Sequence, residues 1–234
     1  MRVFAIGDLH LPGGGQKPMD IFGPQWAGHF ERIAASWQEC VCEEDVVLIP
    51  GDISWAMHPE DAVADLELIQ MLPGKKVLLK GNHDYWWSSL QRVRDILPKG
   101  MYAVQHNALD LGELVVCGTR GWLIPTDDMS LEESDMKIYK REKQRLEMSL
   151  SKARSIAGDR PIVLMMHFPP ISETGEKTEM TELIRHYGIK NVVYGHLHGD
   201  GIRAGYTGEA FGTHYMLVSC DSIDFQPIEI LIAT

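Results

Sequence analysis

The sequence predicts an α/β fold, because short apolar segments alternate along the chain with segments of helical periodicity. Several apolar segments are unbroken runs of four or five residues, as is typical of strands that are covered on both faces. The last two segments have no helix between them, which predicts an antiparallel pair near the C-terminus. The predicted strands are residues 3–6, 46–49, 77–79, 114–117, 162–166, 192–194, 215–220 and 228–232.

Capping residues and apolar spacing predict helices between these strands. Pro24 and Pro59 are suited to the first turn of two helices, where a missing N–H group breaks no helical hydrogen bond. Ser88 is suited to cap a third helix, and either Thr178 or Thr181 to begin a fourth. The helices complete a series of strand–helix–strand units.

Length and composition indicate one globular domain over residues 1–234, with 44% hydrophobic and 24% charged residues. No apolar run reaches the roughly 18 to 20 residues that a membrane span needs. The N-terminal residues lack the features of a signal peptide. The four cysteines form no CxxC pair, which favours reduced thiols. We therefore expect a cytoplasmic protein that has no membrane partner.

Two segments interrupt the alternation of strands and helices. A glycine-rich segment, residues 13–23, follows the first strand. Residues 120–160 are predicted to form a loop and helix insertion, with a Pro-Thr-Asp-Asp turn and a charged helix over about 131–156. Loops at the carboxyl ends of strands commonly shape substrate access. A lid and a surface element without a catalytic role are both compatible with these segments.

Five short motifs carry aspartate, histidine or asparagine, and each follows an apolar run. Each is therefore predicted to lie in the loop that leaves a buried strand. Together they provide the number and type of side chains that two adjacent metal ions require, which points to metal-assisted hydrolysis of a phosphate ester. The motifs are Gly7-Asp8-Leu9-His10, Gly51-Asp52, Gly81-Asn82-His83-Asp84, Met166-His167 and Gly195-His196-Leu197-His198.

Each motif taken alone has a structural explanation. Asp8 or Asp52 after a glycine can be a turn residue or a helix cap. A lone histidine is more often a hydrogen-bonded polar residue than a ligand, and His83 and Asp84 can form a structural hydrogen bond. The presence of all five motifs at the ends of apolar strands favours one shared metal site.

The order of these motifs resembles that of the calcineurin-like metallophosphoesterases, and the resemblance spans Asp8 to His198. It implies an α/β fold of the four-layer αββα sandwich type, with two mixed sheets and a two-metal site at the carboxyl ends of the strands. The family includes phosphomonoesterases, phosphodiesterases, nucleases, protein phosphatases and pyrophosphatases. The resemblance therefore leaves the substrate open.

The resemblance also implies a ligand set. Asp8 and His10 are two residues apart, and in an extended segment such side chains point to the same side and can reach one ion. His196 and His198 share a face in the same way but can reach different ions, because paired ions lie roughly 3.5–4 Å apart. The implied ligands are Asp8, His10 and His198 for one ion, Asn82, His167 and His196 for the other, and Asp52 as the bridge.

This donor set bears on the identity of the metal. Four histidines, two aspartates and one asparagine make a mixed nitrogen and oxygen site without a thiolate. Such donors suit Mn²⁺, Fe, Zn²⁺ or Co²⁺ better than Mg²⁺ or Ca²⁺, which prefer oxygen ligands. We expect two divalent ions, with Mn or Fe favoured by the resemblance and Zn or Co as alternatives.

The expected reaction is attack of a metal-bridging hydroxide on phosphorus. Two divalent ions outweigh the charge of two carboxylates and a hydroxide, so the site attracts a phosphoryl group and stabilises its transition state. His83 is expected to protonate the leaving group or to hold a phosphoryl oxygen, and Asp84 to orient its ring. Acid catalysis of this kind contributes roughly 10²–10⁴ in rate.

The charge of the chain narrows the class of substrate. The formal net charge is −11, and the lysines and arginines are scattered. A protein that follows a nucleic-acid backbone normally has a basic face, so the sequence disfavours nucleic acid as a partner. A small phosphorylated substrate stays compatible, because bound metal ions dominate the local field.

Two residues outside the ligand set are candidate substrate contacts. Arg120 follows a predicted strand and can donate a bidentate contact to a phosphate, or it can serve in a surface ion pair. Trp86 can stack on an aromatic group of the substrate, or it can pack beneath its own loop.

We expect a dinuclear phosphohydrolase that acts on a small phosphomonoester or phosphodiester. A nuclease or a protein serine/threonine phosphatase with the same site is an alternative, although the nuclease would lack a basic track. A catalytically silent metal-binding scaffold is a third alternative. It predicts eroded ligands, whereas all seven expected ligand positions carry a donor.

Overall fold

The computed structural model describes residues 1–15, 19–125 and 130–232. The described residues form eleven strands that are arranged in two sheets. The strands are β1 Val3–Ala5, β2 Val46–Ile49, β3 Lys75–Leu79, β4 Met101–Val104, β5 Asn107–Asp110, β6 Val115–Thr119, β7 Ile162–Met166, β8 Asn191–Tyr194, β9 Gly208–Ala210, β10 Thr213–Leu217 and β11 Ile228–Glu229.

Five α-helices connect or cover these strands in the described part of the chain. They are α1 His29–Cys40, α2 Pro59–Gln70, α3 Leu90–Ile96, α4 Glu133–Ala157 and α5 Glu179–His186. Short 3₁₀ helices are formed by Met19–Phe22, Pro24–Trp26, Gly199–Ala204 and Cys220–Ile223. Among the described residues, no helix is long and apolar enough to cross a membrane.

Both sheets are mixed, with parallel strands at their centres. The first sheet has the order β11-β1-β2-β3-β4, in which only the β11 pairing is antiparallel. The second has the order β5-β6-β7-β8-β10-β9, and its two outer pairs, β5 with β6 and β9 with β10, are antiparallel. The carboxyl ends of the parallel strands therefore meet at one edge of each sheet.

The sheets pack face to face, and helices cover their outer faces. Side chains alternate along each strand: Val46 and Leu48 join the core between the sheets, whereas Val47 and Ile49 join the core beneath α1, α2 and α3. In the second sheet, Val163 faces the first sheet and Leu164 packs beneath α4 and α5. This arrangement confirms the predicted four-layer αββα sandwich.

The helices begin at or near the capping residues that the sequence predicts. Thr178 caps α5 by accepting a hydrogen bond from Thr181 N, and the Thr181 hydroxyl accepts from Thr178 N in return. The cap of α3 is Ser89 and not the predicted Ser88, because the Ser89 hydroxyl accepts from Arg92 N. Pro24 begins a 3₁₀ turn, and α1 begins only after the following loop.

The predicted antiparallel pair near the C-terminus is wrong. The two segments lie in different sheets, where β10 pairs in parallel with β8 and β11 pairs antiparallel with β1. After β10, a 3₁₀ helix and two left-handed residues, Asp224 and Phe225, turn the chain toward the first sheet. The hydrophobic periodicity of the sequence does not predict this turn, because the turn depends on the backbone conformations of single residues.

The long charged helix expected within residues 120–160 is α4. Its inner face buries Tyr139, Leu146, Leu150 and Ala153 against the second sheet. Residues 126–129, which include most of the predicted Pro-Thr-Asp-Asp turn, lie outside the described residues, as do residues 16–18 of the glycine-rich segment. Whether the span 120–160 is an insertion, or acts as a lid, stays a prediction.

Candidate metal centre

The five motifs meet where the carboxyl edges of the two sheets lie side by side. Each motif occupies the loop that follows a central parallel strand, so the fold alone brings the loops together. The first sheet provides three of these loops and the second sheet two. The donor residues are Asp8 and His10 after β1, Asp52 after β2, Asn82 after β3, His167 after β7, and His196 and His198 after β8.

One group of potential ligands is formed by Asp8, His10 and His198, whose ligand atoms all lie within 4.8 Å of one another. The Nε2 atom of His198 lies 3.4 Å from Oδ1 of Asp8 and 3.4 Å from Nε2 of His10. Two imidazole nitrogens and a carboxylate oxygen thus surround one small volume, which is a geometry suited to a cation.

A second group is formed by Asp8, Asp52 and His167, again within 4.8 Å of one another. The Nε2 atom of His167 lies 3.5 Å from Oδ2 of Asp52 and 2.7 Å from Oδ1 of Asn82. The same Asp52 oxygen lies 3.9 Å from Nε2 of His10. Asp52 therefore stands between a histidine of the first group and the histidine of the second.

His196 lies beside these groups. Its backbone N–H donates to both carboxylate oxygens of Asp8 at 3.1 Å. Its ring lies edge-on to that of His167, with centroids 5.1 Å apart, and packs against Phe168 at 4.0 Å. The residue thus orients Asp8 through its backbone and has its ring next to the second group.

The backbone at four of the seven donors is left-handed and not extended. The φ angles are 59° at Asp8, 46° at His10, 50° at Asp52 and 76° at His196. The expected reason for convergence, an extended segment with side chains two apart on one side, is therefore wrong for Asp8 and His10. Their side chains converge because tight turns of the loop point them at the same place.

Two of the motif glycines leave room for donor side chains. A Cβ atom on Gly81 would lie 2.1 Å from Oδ1 of Asp52, and one on Gly195 would lie 2.2 Å from Oδ2 of Asp8. Neither distance is possible for a real side chain, so any larger residue displaces a donor carboxylate. The glycines thus belong to the site through their lack of a side chain.

The carboxylates of Asp8 and Asp52 lie within 4.8 Å of each other, close enough for the charge of one to affect the pKa of the other. Burial, followed by the charge of Asp8, raises the pKa of Asp52 to about 8. Burial also raises the pKa of Asp8, but the charges of His198 and His167 outweigh it and hold that pKa well below its usual range. Two buried carboxyl groups this close favour a bound cation, because a cation allows both to be ionised.

The histidines differ in charge according to their surroundings. Burial lowers the pKa of His10 and of His196 to about 3, so both are neutral and can donate a lone pair to a metal. Burial also lowers the pKa of His198, but Asp8 and Asp221 overcome it and raise that pKa to about 10. A metal ion at this position would take the place of the proton on His198.

Asp221 is a site residue that the sequence prediction missed. Its Oδ1 lies 2.8 Å from Nδ1 of His198, and its Oδ2 accepts a hydrogen bond from Gly199 N. This contact directs Nε2 of His198 toward Asp8, as carboxylates commonly do behind metal-binding histidines. Asp221 directly follows an apolar segment that ends at Cys220, so the pattern that marked the other motifs was also present here.

The orientations of the His167 and His198 rings are suited to binding divalent ions. Nδ1 of His167 lies 3.0 Å from the Pro50 carbonyl, and a ring that donates there presents the lone pair of Nε2 to the centre. His198 is oriented in the same way by Asp221. Nitrogen and oxygen donors without a thiolate, gathered in these two groups, are the set that Mn, Fe, Zn or Co accept.

Asp84 organises the loop that contains Asn82. It is fully buried and accepts hydrogen bonds from the backbone N–H groups of Gly81, Ile53 and Ser54 and from the indole of Trp86. Burial and the charge of Asp52 raise its pKa to about 6. Its expected role as the orienting partner of His83 stays a prediction.

His83 faces an open part of the site. Its ring centroid lies 5.8 Å from that of His10 and 4.5 Å from that of Trp55. A cavity of about 250 Å³ opens here, with His198 and Trp26 among its lining residues. A substrate bound above the ligand groups would therefore meet the His83 side chain.

The two candidate substrate contacts have different surroundings from those expected. Trp86 is fully buried and donates to Asp84, which favours packing beneath its own loop over stacking on the substrate. The Arg120 guanidinium lies 4.7 Å from the ring of Trp122 and lines a separate polar cavity. A third, largely apolar cavity of about 570 Å³ has His196 and Phe168 in its wall.

A four-layer sandwich with such donors at the carboxyl edges of its sheets defines a metal-dependent phosphoesterase. The family model described as calcineurin-like phosphoesterase matches residues 1–200, and the chain belongs to this family. The match confirms the resemblance found in the sequence. No curated protein matches the chain.

Two solved structures are similar to this one. The protein of unknown function AQ665 from Aquifex aeolicus is 16% identical, with a TM-score of 0.50 over 97% of this chain and 95% of that chain. The phosphopantetheinyl hydrolase from Mycobacterium tuberculosis is 15% identical, with a TM-score of 0.58 over 98% of this chain and 95% of its own. At these identities the likeness is one of fold.

Proposed function

We propose that the protein is a dinuclear metal-dependent phosphohydrolase that cleaves a small phosphomonoester or phosphodiester. The observation that carries this proposal is a pair of adjacent donor groups that both contain Asp8. One Asp52 oxygen lies 3.9 Å from His10 of the first group and 3.5 Å from His167 of the second, which favours Asp52 as the bridge. Two ions that share a carboxylate are the arrangement by which such enzymes bind both the attacking and the leaving oxygen of a phosphate ester.

The donor set divides between two ions in this proposal. When bound, the ions supply an activated water molecule and positive charge for the phosphoryl group. We further propose Mn or Fe as the working pair on the basis of the family resemblance, with Zn or Co as alternatives that the mixed nitrogen and oxygen donors also suit. The proposed ligands are Asp8, His10 and His198 for the first ion, Asn82, His167 and His196 for the second, and Asp52 for both.

The remaining residues hold and protonate the substrate. His83 lines the cavity above the ligand groups and is proposed to give a proton to the leaving oxygen. Trp26 and Trp55 wall the same cavity and exclude water from one side of the bound ester. The three cavities around the centre measure from about 240 to about 570 Å³, which suits a small ester better than a polymer.

The test is hydrolysis of two nitrophenyl esters by protein that has been chelated and then reloaded with Mn²⁺. Turnover of p-nitrophenyl phosphate indicates a monoesterase, and turnover of bis-p-nitrophenyl phosphate alone indicates a diesterase. Chelated protein without added metal is the control and should be inactive. Absence of turnover of either ester by protein with two bound ions would contradict the proposal and favour a metal-binding scaffold.

A further inference from the structure

A polar cavity of about 240 Å³ lies between α4 and the ends of β3, β4 and β6. Its lining includes Lys80, Arg120, Arg141 and Arg145, together with a single carboxylate, Glu142. The whole chain has a net charge of −11, so a cavity lined by four cationic side chains is unusual for a protein of this composition.

The buried carboxylate neutralises only part of this charge. Glu142 is fully buried, and its two oxygens accept hydrogen bonds from Arg145 at 2.7 Å and from the Thr119 hydroxyl at 2.8 Å. Arg141 lies farther away, with its Nε 3.8 Å from the same carboxylate. One carboxylate therefore faces four cations, and the cavity keeps an excess of positive charge.

Arg120 and Lys80 form no ion pair with the described carboxylates. The Arg120 guanidinium is half-buried and packs on the ring of Trp122. Lys80 is half-buried as well and donates to the Trp87 carbonyl at 2.6 Å. A partly desolvated guanidinium carries five N–H donors, and leaving them without acceptors is unfavourable.

A further polar atom in the wall lacks an acceptor or donor. His106 lines the cavity, and its Nδ1 is buried without a hydrogen-bond partner among residues 1–15, 19–125 and 130–232. A ligand that accepts several hydrogen bonds would satisfy the Arg120 guanidinium together with the other arginines.

We propose that this cavity is a second binding site, separate from the metal centre, for an anionic group such as a phosphate or a carboxylate. The cavity is adjacent to the metal centre, since Lys80 directly precedes Gly81-Asn82 and the Arg120 carbonyl accepts hydrogen bonds from His167 N and Phe168 N. Planar guanidinium groups bind the oxygens of such anions in pairs.

Titration of inorganic phosphate into the full chain tests this proposal by calorimetry. The Mn²⁺-loaded protein should show two binding events, and chelated protein should keep the event that belongs to the cavity. Phosphate binding in the cavity therefore does not depend on the proposed function. Absence of the metal-independent binding event can be distinguished from absence of metal binding or hydrolysis at the metal centre.

Arg141→Gln is the first variant, because its side chain is 53% exposed and the change leaves the buried core intact. It should weaken the metal-independent event about tenfold, as expected for the loss of one charge-assisted hydrogen bond. Arg120→Gln should do the same. Lys137→Gln, on the same helix but 73% exposed and paired with Glu133, is the matched control and should bind phosphate like the wild type.

The anion can belong to the substrate or arrive separately, and activity distinguishes the two sources. If it belongs to the substrate, Arg141→Gln should lower kcat/KM about tenfold for a nitrophenyl phosphate that carries a ring carboxylate, and leave p-nitrophenyl phosphate unchanged. If it arrives separately, both esters should respond alike to added sulfate. Phosphate binding that is unchanged in both arginine variants would overturn the proposal.

Discussion

At the scale of single residues, the centre depends on left-handed backbone conformations that four of the donors adopt at some cost. A left-handed conformation at a residue other than glycine costs roughly 1–3 kcal/mol. Hydrogen bonds between loops offset this cost, since Asp8 N donates to the Gly51 carbonyl and His10 N to the Asp52 carbonyl. The loops after β1 and β2 therefore stabilise each other's strained residues.

The dependence on contacts between loops also explains which features of the site could be predicted from the sequence. The donor types of Asp8, Asp52 and His167 could be predicted because each follows an apolar strand. The left-handed turns could not, since they depend on contacts between distant loops. Asp221 also follows an apolar segment, but it was missed because it is a lone aspartate without a neighbouring glycine or histidine, and its partner His198 is 23 residues away.

Replacement of Asp52 tests the shared carboxylate. Asp52→Asn should abolish turnover of p-nitrophenyl phosphate and lower the affinity for both ions, because it removes the charge that lies between the donor groups. Metal content by elemental analysis and initial rates are the measurements. Asp159→Asn, at an exposed position, is the matched control, and an active Asp52→Asn protein with full metal content would contradict the bridging role.

Replacement of His83 tests proton donation. His83→Ala should keep both ions and lose roughly 10²–10⁴ in rate. The loss should be larger for an alkyl phosphate than for p-nitrophenyl phosphate, because nitrophenolate leaves without a proton. Rates on the two esters at saturating metal provide the comparison. Equal losses on both would argue against proton donation by this residue.

Replacement of Asp221 tests its role as a positioning residue. Asp221→Ala should weaken metal binding about 10- to 100-fold, because His198 loses the partner that directs its Nε2. Asp221→Asn keeps an acceptor for His198 and should recover part of the affinity. Competition with a fluorescent chelator measures the effect, and Asp200→Ala on the neighbouring exposed turn should behave like the wild type.

At the scale of elements, prediction succeeded where burial produces a strong pattern. The strands β2, β7 and β8 are buried along their whole length, and their apolar runs are unmistakable. The strands β4, β5 and β9 escaped prediction because all three are short and lie at sheet edges, and β5 and β9 are also partly exposed. Their pairing is determined by neighbouring strands more than by their own residues.

The loop after β8 offers a test of close packing at this scale. Gly195→Ala places a methyl group against Oδ2 of Asp8, so it should displace that carboxylate and abolish metal binding. We expect a loss of about 1–3 kcal/mol in the free energy of unfolding. Urea unfolding and metal titration measure both effects. Gly201→Ala, whose added methyl group would meet no atom within 4 Å, is the control and should change neither.

At the scale of the whole molecule, the donor groups join the two sheets. His10 and Asp52 belong to loops of the first sheet, and His167 and His198 to loops of the second. Each donor group takes ligands from both sheets. An ion bound to either group therefore links the two halves of the sandwich, which hydrophobic packing otherwise holds together.

Removal of metal should lower the thermal stability of the entire domain. Each ion at 100 times its dissociation constant stabilises the folded state by about 2.7 kcal/mol, because the unfolded chain lacks the assembled donors. For a chain of this length that corresponds to about 5–10 °C in Tm. Calorimetry of chelated and Mn²⁺-loaded protein measures the shift. The Asp52→Asn protein should show a much smaller shift on reloading, and an equal shift would mean that stabilisation comes from another site.

The position of β1 bears on when activity can arise during synthesis. This strand lies between β2 and β11, so residues 228 and 229 complete the pairing of the segment that leads into Asp8. A nascent polypeptide that has emerged as far as His198 already contains every proposed ligand, yet its first strand still has an open edge. We therefore expect the site to assemble fully only after the C-terminal region has been translated and β11 has paired with β1.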